Sequence, residues 1–147
     1  MSYPRAQTVQ QGFLLPRAAK VIPQAGVSSL FTIVGTVRIL HIYGMVTTII
    51  AGGANLSKLQ FKPTGQTAVD LSGTSDINGQ LVGQLASLVG PAATALNIGW
   101  GVQDATQDWI VGPGTIDLNC AAAAGTGAYR WTARWLPADV NSFMTIF

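Results

Sequence analysis

From Ser28 onward, apolar positions recur at every second residue or gather in short β-branched runs, separated by glycine and proline. Period two places alternate side chains on opposite faces of a strand. Ser29 to Val34 is rich in β-branched and aromatic residues. Thr36 to Ile50 (TVRILHIYGMVTTII) is apolar at both parities and lacks Ala, Glu and Lys. That pattern predicts a central strand covered on both faces, bent at Gly44. Gly52 to Asn55 then reads as a turn, and Leu56 to Lys62 as a half-buried strand. In that strand Leu59 and Phe61 alternate with Lys58, Gln60 and Lys62. Short strands are expected at Ala68–Ser72, Ala95–Val102 and Asp108–Val111.

The stretch from Asp76 to Gly90 fits two readings. Ile77, Leu81, Leu85 and Leu88 stand at helical spacing behind a possible Asp76 cap. Gly79 and Gly83 each weaken such a helix by about 1 kcal/mol relative to Ala. Loop plus strand agrees better with β surroundings.

The C-terminal third alternates most cleanly. Ile116, Leu118 and Cys120 share one face; Thr115, Asp117 and Asn119 share the other. After the small-residue loop Ala121–Gly127, the residues Tyr129, Trp131, Ala133 and Trp135 oppose Arg130, Thr132 and Arg134. The two runs predict a hairpin introduced by Gly112-Pro113-Gly114. Together the strands predict an all-β fold, a single antiparallel β-sandwich or barrel over residues 28–147.

Residues 1–27 differ. They hold Pro4, Pro16, Pro23 and four glutamines, with little periodicity. This is the pattern of an extended N-terminal arm laid across a surface. Phe13, Leu14, Leu15, Val21 and Ile22 are apolar enough to dock on a neighbouring subunit, and are therefore its candidate assembly interface.

Composition sharpens the assembly reading. Charged residues make up 10% of the 147-residue chain, with no Glu, against about 25% in a typical soluble domain. Surface charge keeps a monomer apart from its neighbours, so a chain this poor in charge is expected to bury surface against other subunits. The formal charge of +2 and the thin spread of Arg5, Arg17 and Lys20 argue against a nucleic-acid partner. The uncharged stretches Ile39–Ser57 and Ile77–Gln103 are too polar for membrane helices. No signal peptide is visible at the N-terminus.

Candidate chemistry is sparse. One cysteine, Cys120, at an inward alternating position, reads as a buried thiol. The single histidine, His41, lies between Leu40 and Ile42 and reads as a core or interface residue. The six acids form no recognisable pair: Asp104 and Asp108 flank a loop, and Asp76 opens a turn. Neither G-x-S-x-G nor a phosphate loop is present. The sequon Asn55-Leu56-Ser57 reads as a polar turn. The expectation is a non-enzymatic chain with no catalytic residue, cofactor or metal. Trp100, Trp109, Trp131 and Trp135 could offer a stacking row for sugars or bases. Trp131 and Trp135 fit better as the apolar face of the last strand.

The order VGPGTIDLNC from Val111, a small loop, then AYRWTARWLPAD from Ala128 resembles the C-terminal part of small tailed-phage virion proteins of the capsid decoration (cement) type. Gly35–Ile50 with the following GGANLSKL resembles their long early strand and first hairpin. Ala68–Leu71 with Asp76–Gly79 resembles their next segment. The likeness spans residues 28–137 and is compositional and strand-like. It implies a module that binds between major capsid subunits as a symmetric homo-oligomer such as a trimer, located on the virion surface after synthesis in the host cytoplasm. A tail, baseplate or head-fibre component is the structural alternative. A carbohydrate-binding module using Trp100 or Trp109 is the alternative from another class.

Overall fold

A computed structural model describes residues 12–23, 25–102, 108–121 and 126–147. Within these residues the chain is all-β and contains no helix. Two antiparallel sheets pack face to face as a sandwich. The seven-stranded sheet runs β1 (Phe13–Pro16), β12 (Thr126–Pro137), β4 (Val37–Ala51), β8 (Leu85–Ser87) and β9 (Asn97–Gly99). Here β2 (Lys20–Val21) follows β1 along β12, and β10 (Trp109–Val111) also pairs with β4. The six-stranded sheet runs β13 (Phe143–Ile146), β3 (Gly26–Val34), β11 (Gly114–Cys120), β5 (Leu56–Pro63) and β6 (Val69–Asp70), with β7 (Ser75–Asp76) also on β5.

The core lies between the sheets. Ile39, Ile42, Val46, Tyr129, Trp131 and Ala133 face inward from one, and Leu30, Ile33, Leu59, Ile116, Leu118 and Cys120 from the other. The pairing of β4 with β12 forms the spine of the first sheet. Its register shifts between Arg134 and Trp135, so Leu40 is an extra residue on β4. Such a bulge reverses which parity faces inward. The apolar run from Val37 to Ile50 therefore needs no second covering layer: Val37 and Ile39 point inward before the slip, and Ile42 and Val46 after it.

Gly44 lies within β4 for a steric reason. It stands opposite Trp131. A Cβ at Gly44 would lie 2.9 Å from the indole, far inside van der Waals contact. The missing side chain makes the space that Trp131 fills.

The expected C-terminal hairpin does not form. Strand β11 pairs with β3 and β5 in one sheet, and β12 pairs with β4, β1 and β2 in the other. The segment between them crosses from sheet to sheet; its residues 122–125 lie outside the described set. The alternation within each strand is as predicted, because period two assigns faces. It carries no information about partners. The residues Gly112 and Pro113 likewise carry the chain between sheets, from β10 to β11.

Between Asp76 and Gly90 the chain is loop plus strand. Gly79 and Gly83 have φ of 80° and 92°, a left-handed backbone that ends any helix. Ile77 and Leu88 enter the core while Leu81 is exposed.

Candidate functional site

The most distinctive surface is the flank where β1, β2 and β13 meet. Strand β1 runs beside β13, so both sheets end on this side. Among the described residues, no further strand pairs with β1, β2 or β13. Unpaired edges of this kind are ready to accept another strand.

The sequence-predicted arm residues divide along this edge. Leu15 packs against the core and Ile22 is buried within it. Phe13, Leu14 and Val21 are 52%, 65% and 68% exposed. Phe13 leans on Trp135 with ring centroids 5.3 Å apart. The C-terminal strand adds Phe143, Ile146 and Phe147, all exposed. These three escaped the sequence reading, although the aromatic and β-branched run after Ser142 was the available signal. Arm positions 1–11 and Gln24 lie outside the described residues.

Two cations hold the flank together. Strand β13 ends opposite Phe31, and the Phe147 amide still donates to the Leu30 carbonyl at 3.1 Å. Beyond it, Arg17 Nη1 donates to the carbonyls of Ser29 and Leu30 at 3.3 and 3.2 Å. Lys20 Nζ donates to the Ser29 carbonyl at 2.6 Å and lies 5.6 Å from the centre of the Phe147 ring. The arm thus tethers the edge of one sheet to the other. Burial lowers the pKa of both groups; for Lys20 the nearby Arg17 adds to this and Asp117 opposes it.

Other candidates lie apart. His41 is on the outer side of the seven-stranded sheet, beside Tyr43, with Nε2 2.6 Å from Ser87 Oγ. Asp108 pairs with Arg38; its sequence partner Asp104 lies outside the described residues. Asp76 accepts from the Asn55 and Asn78 amides and so caps a turn. These two bonds hold its carboxyl below the usual range. Trp131 is core, Trp109 and Trp135 are partly buried, and Trp100 is exposed beside Gly83. Among the described residues, no three His, Cys, Asp or Glu side chains come together to hold a metal, and no helix is long and apolar enough to cross a membrane.

Two small polar groups lie buried inside the sandwich. The Tyr129 hydroxyl donates to Gln80 Oε1. The Ser57 hydroxyl donates to Asn55 Oδ1 at 2.9 Å and lies 3.1 Å from Cys120 Sγ. Burial raises the Cys120 thiol above its ordinary 9.0. Burial, then the nearby Cys120, raises the Tyr129 phenol above its ordinary 10.0. Both groups are neutral in the fold and ionise more readily in the unfolded chain. Their stabilisation is complete below the unfolded pKa values and is lost as pH rises through them toward the folded values. Above pH 9, unfolding free energy is therefore expected to fall by about 1.4 kcal/mol per pH unit for each group in play. Denaturant midpoints followed from neutral to alkaline pH check this; Cys120→Ala should flatten the first part of the decline.

The chain matches no family model, no curated protein and no solved structure.

Proposed function

We propose that this chain is a non-catalytic virion structural module that decorates and stabilises a phage capsid. It assembles as a homo-oligomer and binds between major capsid subunits on the virion surface. The observation that carries the reading is the flank of β1, β2 and β13. There, exposed Phe13, Leu14, Val21, Phe143, Ile146 and Phe147 line two strand edges. Apolar side chains on open edges are a liability for a monomer and a means of association for a subunit. A partner strand added there gains main-chain hydrogen bonds and covers the apolar row. A specific interface needs about 1,000 Å² or more in total, and low surface charge makes its desolvation cheap. The resemblance of residues 28–137 to capsid decoration proteins adds the location.

Light scattering of the purified chain is expected to show an oligomer, and sedimentation with capsids to show stoichiometric binding. The double variant Leu14→Lys with Val21→Lys should abolish both. It should change stability by no more than about 0.5 kcal/mol, as exposed substitutions usually do. A monomeric wild type that stays in the supernatant would sink the proposal.

A further inference from the structure

Sheet edges in folded proteins are usually very short, charged or blocked by proline, which stops them recruiting other strands. Other edges of this sandwich follow that rule. On the six-stranded sheet, β6 has two residues and carries Asp70, which pairs with Lys58. On the seven-stranded sheet, β9 has three residues. Strand β1 is blocked differently. The Arg17 amide donates to the Trp131 carbonyl, so Leu15 and Phe13 also turn their backbone groups toward β12, while Leu14 and Pro16 turn theirs outward. Pro16 has no N–H to offer.

Strand β13 lacks these protections. It is four residues long, and residues 140–147 contain no charge and no proline. The Phe147 amide donates to the Leu30 carbonyl, which turns the backbone groups of Thr145 and Phe143 toward β3 as well. The N–H and C=O of Met144 and Ile146 therefore point away from the sheet. Phe143, Thr145, Ile146 and Phe147 are all exposed. The run Phe143-Met144-Thr145-Ile146-Phe147 also reads alike in both directions about Thr145, with an apolar residue on each side of the threonine and a phenylalanine at each end. A strand with this symmetry matches an antiparallel copy of itself.

We propose that a second copy of this chain occupies this edge, its β13 antiparallel to the first about a two-fold axis at Thr145. The inference rests on the reading of the flank as an assembly surface; it names the strand, the register and the partner. In this register Met144 of each copy stands opposite Ile146 of the other, so each outward N–H meets an outward C=O. Phe143 stands opposite the second copy's Phe147, and Thr145 opposite itself. Aromatic pairs and threonine pairs are among the cross-strand pairs that stabilise antiparallel sheets. The contact is isologous, as a two-fold requires. The paired run holds no charged residue, so no like charges are set face to face. The joint makes the two six-stranded sheets continuous. It also brings the two apolar flanks together, adding area that so short a strand pair lacks by itself.

Thr145→Cys in the full chain tests the axis. A non-hydrogen-bonded antiparallel pair sets its Cα atoms about 4.5 Å apart, within disulfide range. Mild oxidation should therefore give a covalent dimer, while the native Cys120 is buried and stays out of the exchange. Val69→Cys, exposed on the far edge of the same sheet, is the control and should cross-link at least about tenfold more slowly, because no pairing raises its local concentration. Ile146→Pro removes an outward N–H and leaves the bonds to β3 in place, as proline does on the open side of an edge strand. With that bond lost from both copies, self-association should weaken about tenfold or more. The proposal fails if Thr145→Cys cross-links no faster than Val69→Cys, or if Ile146→Pro associates as the wild type does. A wild type that is oligomeric by light scattering alongside either failure leaves the assembly reading standing and removes only the β13 joint. A monomeric wild type removes both.

Discussion

Trp131→Ala is expected to destabilise the fold by about 3–5 kcal/mol, the range for removing a fully buried aromatic side chain. Trp131 is 1% exposed. It lies on β12, the strand that joins the N-terminal strands to β4. Its indole packs over Gly44 and against Tyr129, with ring centroids 5.1 Å apart and planes tilted by 37°. Truncation would leave a cavity beside a glycine, which has no side chain to move into it. For a domain of this size, each kcal/mol shifts Tm by roughly 2–4 °C, so the variant should melt on the order of 10 °C lower. Since total stability is typically about 5–15 kcal/mol, a large part of it would be lost. Thermal and denaturant unfolding measure the effect. Trp100→Ala is the internal comparison: its side chain is exposed, and its cost should stay within about 0.5 kcal/mol. Equal costs for the two variants would contradict the core described above.

Gly114→Ala is expected to cost about 2–3 kcal/mol, at the upper end of what inserting one methylene into a packed site does. The added methyl would overlap the Lys62 carbonyl oxygen, and would lie 2.8 Å from the Phe61 ring and 2.9 Å from Pro63 Cα. Two of these atoms are backbone of β5, so no rotamer change relieves the clash. The strands must separate where β11 begins. Gly26→Ala is the matching control: nothing lies within 4 Å of the Cβ it would gain. It should be neutral or slightly stabilising, because alanine narrows the unfolded ensemble. A Gly114→Ala protein as stable as Gly26→Ala would show that β5 and β11 are not in close contact there.

The flank illustrates how a site can be half legible. Phe13, Leu14 and Val21 could be picked out of the arm because apolar residues among prolines and glutamines have no local core to join. The division of labour was not readable. Leu15 and Ile22 turn inward because β1 and β2 lie along β12, a strand more than a hundred positions away in the chain. The contribution of Phe143, Ile146 and Phe147 depends on β13 joining β3 next to that edge, again a long-range pairing.

The sequence by itself determined that this chain is all-β, where most strands lie and which side chains turn inward in the cleanly alternating strands. That follows because the pleat repeats every two residues and burial of one face is a local, countable pattern. It also marked Cys120 and Trp131 for the interior. Only the tertiary structure decided which sheet each strand entered. It separated β11 from β12, which are neighbours in the chain, and it explained Gly44 by the indole lying over it. It also left Asp117, an outward-facing acid by alternation, buried between Ser29 and Gln60 of the neighbouring strands. Those outcomes come from pairings between distant segments, and hydrogen bonds between strands are made by backbone groups that every residue shares.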